Sequence, residues 1–191
     1  MKKYIPNILT IFRIILVPIF VFIIMSDIRH SYFIALVIFV IASITDALDG
    51  KLARKYGAIS KFGLFMDPLA DKALVLGAFI VFLFIPSLKD IIYPWMVVLI
   101  FSRDALVTIL RLFMNRRDIV MITSKVAKLK TTFQLTSIIL LLLLLSINSK
   151  FPFNQFTDYL FIFMVGVTLF TVYTGIDYYY KNLKFLLNKS R

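Results

Sequence analysis

The chain reads as an all-α polytopic membrane protein: six transmembrane helices, both termini cytoplasmic. Three observations predict this. Hydrophobic residues make up 61% of the 191 positions and mean hydropathy is +0.92, well above an ordinary soluble domain. Apolar runs long enough to cross a bilayer alternate with short charged connections. Fifteen of the 22 Lys and Arg residues fall at the termini or in the connections after the second and fourth spans, whereas Arg29, Lys89 and Lys150 fall on the opposite side. That asymmetry marks the cytoplasmic face. The length fits one membrane domain over 1–191.

The elements follow in chain order. Lys2 and Lys3 precede an apolar run from Ile8 to Met25. The run is long for a signal peptide, holds Arg13 and Pro18, and ends without a small-residue cleavage site, so it reads as a retained first span. Arg13 either snorkels to the interface or faces a polar cavity. The second span starts near Ser31 and continues as a helix to about Tyr56, with Gly57 as its stop. A linker, 58–62, leads to a third span from Gly63 to Ile85, closed by Pro86. The fourth runs from Pro94 to Met114, behind the interfacial aromatics Tyr93 and Trp95. A basic linker carrying Arg116, Arg117, Lys125, Lys128 and Lys130 precedes a fifth span from Thr131 to Ile147. The sixth covers Phe156 to Tyr178 and ends in a basic tail.

Composition removes several kinds of chemistry. There is no cysteine, so disulfides and thiolate metal sites are excluded, and with only one histidine, His30, neither a His-based zinc site nor a Ser-His-Asp triad is expected. Any metal is held by oxygen, which favours Mg²⁺, Mn²⁺ or Ca²⁺. The net charge of +12 points to anionic lipid headgroups. No nucleic-acid partner is expected, because the basic residues flank apolar spans and form no soluble patch.

The acidic residues concentrate in one stretch. All ten are aspartates, and four of them, Asp46, Asp49, Asp67 and Asp71, lie within 26 residues where the second span meets the third. On a helix Asp46, Asp49, Gly50 and Ala53 share one stripe with Arg54 at its edge, and Asp67 and Asp71 lie one turn apart on the next helix. A hairpin across residues 57–62 turns the two pairs toward each other, and one or two divalent cations relieve the repulsion. Gly50 and Ala53 leave a trough without side chains, and Arg54 can pair with phosphate oxygens. Such a set suits phosphoryl transfer, with a carboxylate available to take the proton of an attacking hydroxyl. Other readings stay open at this point. Asp67-Pro68 also fits an N-cap with proline in the first turn. Asp71-Lys72 fits a surface pair, and Gly50, Ala53 and Gly63 fit helix packing. A cation transporter would need the carboxylates near mid-bilayer, whereas they fall beside Lys51, Arg54 and Lys55 at a span end. A non-catalytic scaffold leaves the spacing unexplained.

The spacing Asp-x-x-Asp-Gly-x-x-Ala-Arg, eight residues, Gly-x-x-x-Asp-x-x-x-Asp resembles the complete signature of the CDP-alcohol phosphatidyltransferases. Asn7-Ile-Leu-Thr10-Ile-Phe-Arg13 followed by Pro18 is similar to the N-terminal part of that family. The resemblance implies a homodimeric membrane enzyme that displaces CMP from a CDP-linked lipid with Mg²⁺ or Mn²⁺, held as a two-metal site. It implies Asp46, Asp49, Asp67 and Asp71 as metal ligands, with Asp71 as catalytic base. It implies Asn7, Thr10, Asp46, Asp49, Gly50, Ala53 and Arg54 as contacts to the CDP moiety.

Ser102-Arg103-Asp104, Arg111 and the stretch from Lys125 to Gln134 resemble the bacterial phosphatidylglycerophosphate synthase branch. Ala127 stands where that branch typically has glycine. The branch implies CDP-diacylglycerol as donor lipid and sn-glycerol 3-phosphate as acceptor, the latter a small dianion that Arg103, Arg111, Lys128 and Lys130 could hold. Lys128 and Lys130 also read as ordinary positive-inside residues. Inositol phosphate, serine and phosphatidylglycerol are the alternative acceptors.

Overall fold

The computed structural model describes residues 5–56, 61–115, 125–148 and 153–188, and side chains within 8–46, 72–111, 114, 129–148 and 155–182. Among these residues the secondary structure is helical throughout. Six α-helices are present: α1 Ile5–Met25, α2 Ser31–Tyr56, α3 Lys61–Phe82, α4 Pro94–Asn115, α5 Lys125–Ile147 and α6 Thr157–Asn188. The described chain divides into two compact units. One holds residues 1–87 and 138–154, the other residues 88–137 and 155–191.

In the first unit α1 packs against α2 and α3. Ser26 caps α1, its hydroxyl donating to Ile23 O at 2.7 Å. His30 takes φ 64, and this left-handed residue turns the chain sharply enough that α2 starts at once. Arg13 meets Asp46 and Phe20 meets Phe39, so an advance along α1 matches an equal retreat along α2. The two helices are therefore antiparallel neighbours, as a short connection demands. Phe20 and Phe39 are fully buried with ring centroids 5.8 Å apart. The opposite face of α1, including Ile8, Phe12, Ile15 and Phe22, is apolar and exposed. An apolar outer surface on a helix with an apolar inner one is the pattern of a lipid-facing element.

In the second unit α4 packs against α6. Pro94 opens α4, where a missing N–H costs nothing. Tyr93 stacks edge-on against Phe161 at 5.6 Å and Phe133 of α5 against Phe170 at 5.0 Å. The helices α4 and α6 bury Met96, Ile100, Met164 and Val167.

Three boundaries differ from the sequence reading. The third helix starts at Lys61, which places Asp67 and Pro68 inside it, so the N-cap reading fails. The fifth starts at Lys125, because Lys, Ala and Leu hold a helix readily and charge alone does not break one. The sixth continues past Tyr178 to Asn188, supported by an Asp177–Lys181 pair at 2.8 Å and by Asn182 Nδ2 donating to Tyr178 O at 2.8 Å.

Three stretches among the described residues are long and apolar enough to cross a membrane: Ile8–Met25, Leu129–Ile147 and Thr157–Asn182. Ser31–Asp46 and Lys72–Phe82 are shorter apolar stretches, and α4 is interrupted by Arg103, Asp104 and Arg111. Truncation of the aromatic contact between α1 and α2, Phe39→Ala, is expected to lower stability toward the lower end of about 3–5 kcal/mol, since packing is lost while lipid, not water, receives the exposed face. Thermal unfolding in detergent measures it, and a loss below 1 kcal/mol, on the order of experimental scatter, contradicts the packing argument.

Candidate active site

The motif stretch is helical on both sides of its connection, so positions 46 and 49 lie three apart on α2, and 67 and 71 four apart on α3. The side chains of Asp49, Gly50, Ala53, Arg54, Asp67 and Asp71 lie outside the described residues, as do those of Asn7 and Lys128. Asp46 is described. One of its oxygens meets Arg13 Nη1 of α1 at 2.5 Å, with Arg13 at 1% and Asp46 at 42% side-chain exposure. Of the two readings for Arg13, the structure therefore selects the inward one. Thr10, three residues earlier on α1, is fully buried.

The second unit holds a separate cluster. Asp104 Oδ1 of α4 accepts from Arg103 Nη1 at 3.0 Å and from Lys130 Nζ of α5. Side-chain exposure is only 9–15% across the three groups. Arg103 Nη2 also donates to Thr174 Oγ1 of α6 at 3.2 Å. Gln134 Nε2, one turn beyond Lys130, donates to Thr171 Oγ1 at 3.3 Å.

The threonines are oriented for this task. Thr171 donates its own proton to Val167 O and Thr174 to Thr171 O, both at 2.8 Å. A hydroxyl whose proton is committed to its own backbone presents only lone pairs outward. So α6 offers acceptors, and α4 and α5 supply donors. Two cations converge on one carboxylate oxygen. Arg103 Nε is buried with no hydrogen-bond partner among the described residues. Both features suit an anion with several acceptor oxygens.

Of the four cations read from sequence as an acceptor-phosphate site, the structure brings Arg103 and Lys130 together, and leaves Arg111 exposed on α4. Sequence reasoning missed Asp104 as the group joining them, along with Thr171 and Thr174. The signal was present as Thr168, Thr171 and Thr174 at three-residue spacing in the stretch of α6 between Asp158 and Asp177, which holds no charged residue.

Residues 3–173 match the CDP-alcohol phosphatidyltransferase family. The chain belongs to that family. It is 35% identical to the CDP-diacylglycerol–glycerol-3-phosphate 3-phosphatidyltransferase of Bacillus subtilis, over 93% of this chain and 94% of that one. It is 38% identical to a probable phosphatidylglycerophosphate synthase of Mycobacterium tuberculosis, over 93% and 81%. Against the CDP-diacylglycerol–glycerol-3-phosphate 3-phosphatidyltransferase of Escherichia coli K12 the identity is 36%, over 74% and 78%. A CDP-alcohol phosphatidyltransferase with three helices of membrane-crossing length and composition is an integral membrane enzyme.

The donor chemistry of the phosphatidyltransferase motif, four carboxylates without nitrogen or sulfur, suits a hard divalent cation. Asp46 fits that use, since its carboxylate is partly open to solvent and a hydrated ion can approach it.

The unequal burial of the Arg13–Asp46 pair makes the two halves of the contact inequivalent. Asp46→Ala withdraws a carboxylate from a guanidinium that stays buried and charged, and is expected to cost about 1.5–3 kcal/mol. Arg13→Met leaves a carboxylate that water already reaches, and should cost under about 1 kcal/mol. Thermal unfolding of both variants tests the asymmetry, and a larger loss for Arg13→Met reverses it.

Proposed function

We propose that this enzyme transfers the phosphatidyl group of CDP-diacylglycerol to sn-glycerol 3-phosphate, forming phosphatidylglycerol phosphate and CMP. The observation that carries the acceptor assignment is the convergence of Arg103 and Lys130 on Asp104, with Arg103 Nε buried and without a hydrogen-bond partner among the described residues. A small phosphomonoester dianion is the complementary ligand, and relatives spanning most of the chain carry names for that acceptor. Arg103 and Lys130 hold the acceptor's phosphate, while Arg111 and Lys128 add positive charge.

The acceptor hydroxyl attacks the β-phosphorus in line, the new P–O bond forming as the bond to CMP breaks. Asp71 takes the hydroxyl proton. Gly50 and Ala53 allow the nucleotide close to the backbone of α2, Arg54 pairs with the diphosphate, and Asn7 and Thr10 contribute to CDP binding. Asp46, Asp49, Asp67 and Asp71 hold Mg²⁺ or Mn²⁺ as a two-metal site. The metal, when bound, offsets charge on the diphosphate and on the attacking and leaving oxygens. Arg13 holds Asp46 in place from α1.

The whole chain, 1–191, acts as one membrane domain of six spans in the cytoplasmic membrane. Its termini and chemistry are at the cytoplasmic face, and it works as a homodimer. Acyl chains remain in lipid along apolar helix faces, such as the shallow groove lined by Val17, Pro18, Val21 and Phe22 of α1.

Purified protein given labelled CDP-diacylglycerol and Mg²⁺ is expected to release CMP with sn-glycerol 3-phosphate and not with serine, inositol phosphate or phosphatidylglycerol. Turnover with one of those three instead reassigns the acceptor, and no CMP release with any acceptor removes the catalytic reading. Chelation with EDTA should abolish turnover and added Mg²⁺ or Mn²⁺ should restore it. Asp71→Asn is expected to lose at least about a hundredfold in kcat while retaining nucleotide binding, and near-native turnover in that variant rejects Asp71 as the base.

A further inference from the structure

The route Arg103 takes across α6 depends on one missing side chain. A Cβ placed on Gly175 would lie 2.5 Å from Arg103 Cγ, 3.1 Å from its Nε and 3.3 Å from its Cδ. All three nearest atoms belong to this one side chain. The collision is with the stem of the arginine. The far end cannot give way freely, because Nη1 and Nη2 are held by Asp104 and Thr174. Two other described glycines show the contrast. Gly166 has open space around the same position, and Gly77 would make an ordinary 3.5 Å contact with Val17 Cγ1. Gly175 alone among these three is required by its surroundings.

From this we infer that Gly175 is a positioning residue for acceptor recognition: its bare Cα is the slot through which Arg103 crosses α6 to stand beside Lys130 as part of the phosphate-binding pair. The inference rests on the acceptor site proposed above. It assigns the glycine a task that acts through Arg103, without contact to substrate. Any side chain at 175 pushes the guanidinium off Thr174 and Asp104, and the cluster then keeps its charge but loses its geometry.

The experiment is a double-mutant cycle on the full-length protein: Gly175→Ala, Arg103→Ala and the two combined. Each is read by acceptor KM, CDP-diacylglycerol KM and thermal stability. Gly175→Ala should raise the KM for sn-glycerol 3-phosphate about tenfold to a hundredfold, the loss of a charge-assisted contact, and leave the KM for CDP-diacylglycerol unchanged. Its melting temperature should fall. Adding Arg103→Ala removes the atoms that the new Cβ strikes. The double variant should therefore recover stability and show the acceptor KM of Arg103→Ala alone, a non-additivity that a merely structural glycine does not produce.

If Gly175→Ala does not fold, recovery of folding in the double variant with that same acceptor KM supports the slot. Failure of the double variant to fold, where Arg103→Ala folds, overturns it. So do losses that multiply in the double variant, equal rises in both KM values, or a raised acceptor KM in Arg103→Ala with none in Gly175→Ala, and these leave the acceptor site standing. An unchanged acceptor KM in Arg103→Ala is a different outcome, which rejects the acceptor site itself and this inference with it.

Discussion

A cation inside a layer of apolar helices persists only where an anion or a set of acceptors stands against it. That constraint governs both units of this protein. Arg13, at 1% exposure, is tied to Asp46, and Arg103 and Lys130 are tied to Asp104. In each of these contacts the cation is the more buried partner. The carboxylate that answers it therefore fixes geometry. The Arg13–Asp46 contact sets the same antiparallel register between α1 and α2 as the Phe20–Phe39 ring pair. Asp104 draws α4 and α5 into one charged cluster.

The uncharged polar residues obey the same rule by another route. Thr168, Thr171 and Thr174 are all buried on α6, yet each gives its proton to a carbonyl of its own helix. Burial then costs little, because the hydroxyl proton is satisfied locally whatever lies opposite. What remains exposed to the neighbouring helices is acceptor character alone. Arginine and lysine have no acceptors of their own, so the arrangement admits Arg103 and Gln134 Nε2 as partners and offers nothing to another carboxylate. A stripe of threonines thus decides which kind of group can face α6.

These relations mark what could be read before any coordinates. Helix content, the start of α2 near Ser31, its end at Tyr56 and the start of α4 at Pro94 follow from apolar runs punctuated by glycine, proline and polar clusters, all of them local signals. The charged ends of α5 and α6 did not follow, because lysines at a span boundary read equally as loop and as helix. Local spacing said which motif carboxylates share a helix face, but nothing of Arg13 as the partner of Asp46, which is a contact between residues 33 positions apart. In the same way Arg103 and Lys130 were visible as charges, while the carboxylate joining them was overlooked as the neighbour of an arginine. The importance of Gly175 was invisible, since it depends on the path of a side chain 72 positions earlier. Sequence shows periodicity well and partnership poorly.

The stoichiometry of the second cluster bears on its use. One arginine with one aspartate would be neutral, held firmly and of little attraction to an anion. Two cations with no carboxylate would repel each other at close range in a medium that screens them weakly. Two cations around one carboxylate lie between these limits. Asp104 offsets the repulsion between Arg103 and Lys130 through one shared oxygen, and the Nε–H of Arg103 has no partner among the described residues. On the acceptor reading proposed above, serine lacks a phosphate for these donors, and its ammonium would meet two cations already in place. Discrimination on that reading is electrostatic before it is steric, and it depends on Arg103 and Lys130 keeping the places that Asp104 gives them.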